Sequence, residues 1–341
     1  MWQPPAFWHK KHSILQPTLL APFAGLYSSA VWLRRAVSNP FKANYPIICI
    51  GNPGLGGAGK TPVAIAVAKH LIALGNDPHF LTRGYGGKKV GPLRVDIACH
   101  DASQIGDEPL LLARHAPTFV AKNRLAGVKG ALAAGAEIII MDDGFQNPTT
   151  KKDCSILVID GSRGIGNGWV FPAGPMREPI SRQLKRADIL LVIGNGSSAN
   201  HLVRSALLVG TDVLRAQLIA SPSAPNLNQR NIVAFCGIAD PDKFFNSIED
   251  MGGNVVARRV FPDHQMFSSQ DVTRLLELGE SNSGSLLLTT EKDMVRIGSN
   301  NDPNGRLRDM ASVLPIEIKW DDPNQLTALL CKTGVLTETD I

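Results

Sequence analysis

A phosphate-binding loop at residues 54–61 constrains the fold of this chain more than any other feature. The segment reads GLGGAGKT and matches the pattern G-x-x-x-x-G-K-[ST]. An apolar run at 46–50 precedes it and a helix-patterned stretch at 62–74 follows. This order predicts a nucleotide-binding α/β domain in which Lys60 supplies charge to the outer phosphates and Thr61 offers a hydroxyl to Mg²⁺. The predicted nucleotide contacts are Gly54, Leu55, Gly56, Gly57, Ala58, Gly59, Lys60 and Thr61.

Composition favours a two-domain enzyme. The chain has 341 residues, of which 44% are hydrophobic, enough for two cores. Its formal charge of +5 suits an anionic substrate or an anionic membrane surface. Nucleic-acid binding is not expected, because no basic tract with interleaved aromatic residues occurs. The five cysteines lack C-x-x-C spacing, which indicates buried thiols in a reducing compartment rather than a zinc site.

The remaining pattern alternates between apolar strands and helices. Such alternation predicts a mainly parallel, doubly wound sheet of the P-loop NTPase type over residues 45–220. A polar, proline-rich segment at 221–226 is typical of a link between domains. Residues 229–341 then predict a second, smaller α/β domain. The strands expected after the first are 79–82, 118–121, 137–141, 155–159 and 189–193, followed by 231–236, 254–260, 285–289 and 315–320.

Residues 1–44 have a different character and predict an amphipathic helix that associates with a membrane. Basic and aromatic residues at its ends, including Trp2, Trp8, Lys10 and Lys11, suit a headgroup boundary. An ordinary helix packed on the core and a secretory signal are the two alternatives. Prolines and a short apolar length disfavour a spanning helix. The expected apolar stripe is Leu15, Leu19, Phe23, Leu26, Ala30 and Leu33.

Acidic residues stand at two places where catalysis by a phosphate-loop enzyme needs them. A buried strand ends in Asp142 and Asp143, and we predict that Asp142 meets Mg²⁺. Asp107 and Glu108 begin a helix, where helix capping explains them without a function. The functional alternative is that Asp107 accepts the proton of an attacking hydroxyl.

Three further side chains lie on loops expected near the ligand. Arg83 follows a strand in a glycine-rich loop, and Arg177 lies in a proline-rich loop that could hold a cation against phosphate. His264 follows a strand of the second domain. Although a lone histidine is usually structural, this one could face the nucleotide across the cleft between domains.

The ordered set of these blocks resembles the tetraacyldisaccharide 4′-kinases of lipid A synthesis. The resemblance runs from Trp2 to about Ile297. One position departs from it: many members have histidine after Asp-Asp-Gly-Phe-Gln, where this chain has Asn147. The matching blocks include GGAGKTP at 56–62, RGYG at 83–86, GDEP at 106–109, DDGFQ at 142–146, PAGP at 172–175, REP at 177–179, FPDH at 261–264 and TEKD at 290–293.

The resemblance implies an activity and a location. The reaction is transfer of the γ-phosphoryl group of ATP to the 4′-hydroxyl of an acylated glucosamine disaccharide 1-phosphate, forming lipid IVA. The implied enzyme is peripheral, lies at the cytoplasmic face of the bacterial inner membrane and requires no protein partner. Asp107 and His264 are implied to act as a pair together with Lys60. Arg177 is implied to contact nucleotide, and Thr61, Asp142, Glu108 and Glu178 are implied to serve Mg²⁺.

Two rival functions use the same loop. A GTPase or metallochaperone of the SIMIBI class requires a guanine-reading [NT]-K-x-D motif, which residues 150–153 match literally. That match precedes a strand instead of following one, so we interpret it as accidental. The second rival is a membrane-associated ATP-binding module without activity.

Overall fold

The computed structural model describes residues 4–9, 14–282, 284–297 and 303–337. These residues form one nine-stranded sheet and one four-stranded sheet. The strands are β1 Ile47–Gly51, β2 Pro78–Thr82, β3 Leu93–Arg94, β4 Thr118–Val120, β5 Ile138–Asp142, β6 Cys154–Asp160, β7 Ile189–Ile193, β8 Asp212–Ala220, β9 Asn231–Cys236, β10 Asn254–Val260, β11 Leu286–Thr290, β12 Ala311–Leu314 and β13 Ile316–Trp320. The α-helices are α1 Leu15–Ala36, α2 Lys60–Ala73, α3 Ala102–Ile105, α4 Asp107–Leu112, α5 Arg124–Ala133, α6 Ile180–Leu184, α7 Asn200–Leu208, α8 Pro241–Asp250, α9 Ser269–Ser281, α10 Glu291–Met294, α11 Asn304–Met310 and α12 Pro323–Lys332.

The large sheet has the order β13-β8-β7-β6-β1-β5-β2-β4-β3. Its central strands are parallel, and every residue of β1 and β5 is buried. Strands covered on both faces read as continuous apolar runs, which explains the sequences IICIG and IIIMD. Since parallel strands end at the same edge, the loops after β1 and β5 meet there. The predicted α/β fold with a mainly parallel sheet is confirmed.

The smaller sheet has the order β10-β9-β11-β12, and all its strand pairs are parallel. After β12 the chain returns to the large sheet, where β13 pairs antiparallel with β8. Helix α12 buries Leu326 and Leu330 in the core that also contains Ile48. The predicted domain 229–341 is therefore corrected, because β13 joins the first sheet and α12 packs in its core.

Helix α1 presents an apolar stripe to solvent instead of burying it. Leu15, Leu19 and Leu26 are 76%, 68% and 70% exposed, and the buried residues of this helix are Pro17 and Ala24. An ordinary core helix would bury that stripe. Among the described residues, no helix is both long and apolar enough to cross a membrane.

The segment before α1 is anchored to the body of the protein. Trp8 is 1% exposed and donates its indole N–H to the carbonyl of Pro172, at 3.2 Å. This burial corrects the expectation that Trp8 lies at a headgroup boundary. Trp2, Lys10 and Lys11 lie outside the described residues.

Candidate active site

The phosphate-binding loop connects the end of β1 to the start of α2. Gly59 has a φ of 77° and lies directly before Lys60, the first residue of α2. This left-handed conformation suits glycine and aims the first N–H groups of the helix into the loop. Asn52 orders the loop, since its side chain donates to the Gly56 carbonyl at 2.8 Å and accepts from Lys60 Nζ at 3.3 Å. The N–H of Leu55 is already donated to the Pro175 carbonyl, at 2.8 Å.

Asp142 lies at the end of β5, beside the first turn of α2. Its Oδ2 accepts a hydrogen bond from the Thr61 hydroxyl at 3.2 Å, while Oδ1 is buried and has no hydrogen-bond partner. Burial and the nearby charge of Glu108 raise the pKa of Asp142 to about 7. A buried carboxylate oxygen without a partner, next to a threonine hydroxyl, suits Mg²⁺, which prefers oxygen ligands. The residues present therefore fit the predicted metal site.

Asp143 contacts two cationic side chains near the loop, Lys60 and Arg177. It accepts hydrogen bonds from both terminal nitrogens of Arg177, at 3.0 and 3.2 Å, and lies 3.8 Å from Lys60 Nζ. Arg177 also donates to Gln146 Oε1, at 3.0 Å. Burial raises the pKa of Asp143, but Lys60 and Arg177 outweigh burial and lower it overall. The structure thus brings Lys60 and Arg177 to the same carboxylate, which marks where a phosphate group can be neutralised.

Asp107 and His264 are in contact although they lie 157 positions apart in the sequence. His264 Nδ1 lies 3.1 and 3.0 Å from the two carboxylate oxygens of Asp107. Arg296 Nε lies 3.1 Å from Oδ2, and the Glu108 N–H donates to Oδ1 at 2.9 Å. Burial by itself raises the pKa of Asp107, but the hydrogen bond with His264 and the charge of Lys292 outweigh burial and lower it to about 2. Asp107 is therefore an anion at neutral pH.

His264 is fixed from several sides. Its φ of 60° is unusual for a residue other than glycine and is sustained only where the surroundings determine it. Lys292 Nζ lies 3.1 Å from His264 Nε2 and also contacts Asp263 at 3.2 Å. The ring of Tyr85 packs edge-on against the imidazole, with centroids 5.2 Å apart.

Lys292 and Arg296 were missed as site residues by sequence reasoning. Thr290 begins the short helix α10 and accepts a hydrogen bond from the Asp293 N–H, at 3.1 Å. The spacing Thr-x-x-Asp is a helix-start signal that could have located α10. Arg296 is 1% exposed and donates to the Gly237 carbonyl at 2.7 Å. A sequence pattern gives no sign that this arginine reaches Asp107.

A cavity of about 700 Å³ lies between the two sheets. Its lining includes the phosphate-binding loop at 57–61, Glu108 and Lys292. Across the cavity, the ammonium of Lys243 pairs with Asp160, and Arg163 pairs with Asp240 at 2.9 Å. Residues from both sheets thus form one cleft.

Several predicted site residues lie outside the lining of this cleft, among them Arg83, Asp107, Asp142, Arg177, Glu178 and His264. Glu178 was predicted as a metal ligand, but its carboxylate accepts from both terminal nitrogens of Arg186, at 2.9 Å each, and from Arg35 at 3.3 Å. The carboxylate is therefore engaged by two guanidinium groups, and its role as a metal ligand stays a prediction. The side chain of Arg83 is exposed and is not among the described residues that line the cleft. Residues 150–152, from the [NT]-K-x-D match, line a separate cavity and not the one at the phosphate-binding loop.

Comparisons with known proteins point in one direction. A family described as tetraacyldisaccharide-1-P 4′-kinase matches residues 16–334. A tetraacyldisaccharide 4′-kinase from Paramagnetospirillum magneticum is 46% identical over 97% of this chain and 98% of its own. One from Nitrobacter hamburgensis is 47% identical over 87% and 88%. The crystal structure of LpxK from Aquifex aeolicus in complex with ATP has a TM-score of 0.73 at 24% identity, covering 94% of this chain and 99% of that one. This last similarity shows a shared fold.

Proposed function

Because the chain belongs to the tetraacyldisaccharide 4′-kinase family, we infer that it transfers the γ-phosphoryl group of ATP to the 4′-hydroxyl of an acylated glucosamine disaccharide 1-phosphate. The product is the 4′-phosphorylated lipid, a precursor of lipid A. The finer assignments below, which concern individual residues, Mg²⁺ and the membrane, are our proposals.

One observation carries the proposal most strongly. The phosphate-binding loop shares its cavity with Glu108 and Lys292, which adjoin the Asp107–His264 pair. A nucleotide switch needs no carboxylate–histidine pair beside its phosphates, whereas a kinase needs a group that accepts the proton of the attacking hydroxyl. The arrangement therefore supports transfer to an acceptor.

In the proposed mechanism, Asp107 accepts the proton as the 4′-oxygen bonds to the γ-phosphorus and the bond from that phosphorus to the bridging oxygen breaks, releasing ADP. His264 Nδ1 lies almost equally far from both carboxylate oxygens. In this proposal, His264 stays hydrogen-bonded to one carboxylate oxygen of Asp107 while the other oxygen accepts the hydrogen bond of the sugar hydroxyl. A carboxylate with a low pKa suffices, because phosphoryl transfer depends on positioning and charge neutralisation more than on strong base catalysis.

Lys60 and Arg177 neutralise the transferring phosphate in this proposal. Both cations contact Asp143 in the structure. When phosphate binds, its oxygens would take the place of the Asp143 carboxylate as the anionic partner of Lys60 and Arg177. The unpartnered Oδ1 of Asp142 and the Thr61 hydroxyl would hold Mg²⁺, with Glu108 nearby to add negative charge. When bound, Mg²⁺ offsets charge on the phosphate oxygens.

We further propose that α1 attaches the enzyme to the inner membrane at its cytoplasmic face. The exposed stripe of Leu15, Leu19, Phe23 and Leu26 is the kind of surface that enters the headgroup boundary. Arg34 and Arg35 in the last turn suit contact with anionic lipid. Such attachment would bring the cleft to a substrate whose acyl chains stay in the bilayer.

The test is the variant Asp107→Asn, with Asp250→Asn on the exposed end of α8 as a matched control. We expect kcat for transfer to the disaccharide to fall by about 10² or more, with the Kd for ATP unchanged. The control should keep the parent rate. Transfer at the parent rate by a folded Asp107→Asn protein would remove Asp107 from the chemistry.

A further inference from the structure

A second cavity, of about 230 Å³, lies where the C-terminal end of α1 meets the loop between β5 and β6. We call it the Thr150 cavity. Four cationic side chains line it, and none of the described residues in its lining is a carboxylate. It is separate from the cleft that holds the phosphate-binding loop. The cationic residues are Arg35, Lys151, Lys152 and Arg186.

The positive charge of the Thr150 cavity is only partly compensated. Glu178, which does not line the cavity, pairs with Arg35 and Arg186. Among the ion pairs of the described residues, Lys151 and Lys152 have no carboxylate partner. The ammonium of Lys152 donates to the Asn147 carbonyl, a neutral partner. Burial and the charges of Arg35 and Arg186 lower the pKa of Lys152. An anion in the cavity would relieve this repulsion.

Two buried donors in the lining have no partner in the described structure. Thr150 is 2% exposed, and its hydroxyl makes no hydrogen bond. The same holds for the buried Nε of Arg35. A buried polar group without a partner is unfavourable, so a native protein that retains one at a cavity wall has a reason to do so. The cavity volume of about 230 Å³ exceeds the roughly 30 Å³ share of a single water molecule.

From these observations we propose that the Thr150 cavity binds the phosphate group of a lipid-borne ester. Guanidinium and ammonium groups with a hydroxyl donor form the set that recognises phosphate. The position at the end of α1, whose apolar stripe is exposed, places such a group at the level of lipid headgroups. Two sources share this chemistry: the 1-phosphate of the disaccharide substrate, which rests on the proposed function, and the phosphate of a neighbouring phospholipid.

The first experiment measures binding without catalysis. The full chain, without ATP, is titrated with micelles carrying the disaccharide 1-phosphate, the same disaccharide without its phosphate, or phosphatidic acid. The variants are Thr150→Val, with Thr149→Val as control, and Lys151→Gln, with Lys319→Gln as control. Thr149 and Lys319 are exposed and lie outside the cavity.

Thr150→Val and Lys151→Gln should each weaken binding of a phosphate-bearing lipid about tenfold, the size of one lost hydrogen bond to a charged group. Binding of the disaccharide without phosphate should not change. Weakening with the disaccharide 1-phosphate alone assigns the cavity to the substrate, and weakening with phosphatidic acid alone assigns it to a phospholipid. Equal affinities of the variants and the parent for both phosphate-bearing lipids would overturn the proposal.

Thermal unfolding separates this role from a structural one. Replacing an unpartnered buried hydroxyl by a methyl group should leave Tm unchanged or raise it. A lowered Tm for Thr150→Val would mean that the hydroxyl serves the fold and would contradict the proposal. Phosphate transfer by the parent chain is measured separately. If the parent transfers phosphate but the cavity variants bind lipid normally, this inference fails and the kinase assignment stands.

Discussion

The strongest prediction concerns Asp142, whose ionised form is unfavourable in the folded protein without a cation. This carboxyl is 1% exposed. Burial, together with the charge of Glu108, raises its pKa from 3.8 to about 7. At 1.36 kcal/mol for each pKa unit, the roughly three-unit shift amounts to a destabilisation of about 4 kcal/mol when the group is fully ionised. The variant Asp142→Asn removes that ionisation while its amide oxygen can still accept the Thr61 hydrogen bond.

The sign of the pH dependence follows from proton linkage. Well below pH 3.8 the carboxyl is protonated in both the folded and the unfolded chain, so it contributes no pH dependence. Between about pH 4 and about pH 7 the unfolded chain loses this proton while the folded chain keeps it, so the stability of the parent protein falls with rising pH. Above about pH 7 both states are ionised and the loss stays constant.

The assay is urea unfolding of the parent and Asp142→Asn proteins, without nucleotide or metal, at about pH 5 and about pH 8, on either side of the folded-state pKa. The unfolded carboxyl is already mostly ionised at about pH 5, so part of the destabilisation is present there. The variant should therefore gain about 2.5 kcal/mol of stability relative to the parent between these two pH values. In the same variant, kcat should fall by about 10² or more, because loss of a proposed Mg²⁺ ligand weakens electrostatic stabilisation of the transferring phosphate. A variant that is less stable than the parent under the alkaline condition, or a difference independent of pH, would refute the reasoning.

Two further predictions concern surfaces away from the transfer chemistry. The double variant Leu19→Ser/Phe23→Ser should reduce sedimentation with anionic liposomes at least tenfold, since burial of each such side chain contributes about 1.5–3 kcal/mol. The control is Leu207→Ser/Leu208→Ser on the exposed face of α7. Equal sedimentation of the two double variants would exclude α1 as the attachment site. Glu178→Gln should lower the free energy of unfolding by about 2 kcal/mol, because two half-buried guanidinium groups lose their anion; an unchanged urea midpoint would contradict this.

Local signals predicted most strands of the large sheet. Strand 189–193 coincides with β7 Ile189–Ile193, and strand 79–82 differs from β2 Pro78–Thr82 by one residue. Both are short apolar runs, and their residue types alone predict that they are buried strands. Lys60 and Thr61 were predicted from the phosphate-binding motif, and Asp142 was predicted from its position at the end of a buried strand of a parallel sheet.

Long-range pairing lies beyond such signals. The strand expected at 315–320 exists as β13, but its pairing with β8 depends on register between distant segments and not on its own pattern. β8 itself was missed, because its residues mix buried, half-buried and exposed positions and give no clean alternation. The pairing of Asp107 with His264 was predicted from a family resemblance and not from the spacing of these residues. The guanidinium partners of Glu178, one on α1 and one after α6, could not be predicted from its neighbours in sequence.

The contacts of Glu178 lie between helix α1 and the phosphate site. Arg177 and Glu178 are adjacent residues that face different partners: Arg177 holds Asp143 beside Lys60, and Glu178 holds Arg35 at the end of α1. One peptide unit therefore joins the residue that contacts the helix we propose to lie on the membrane to the residue that we propose to contact the nucleotide.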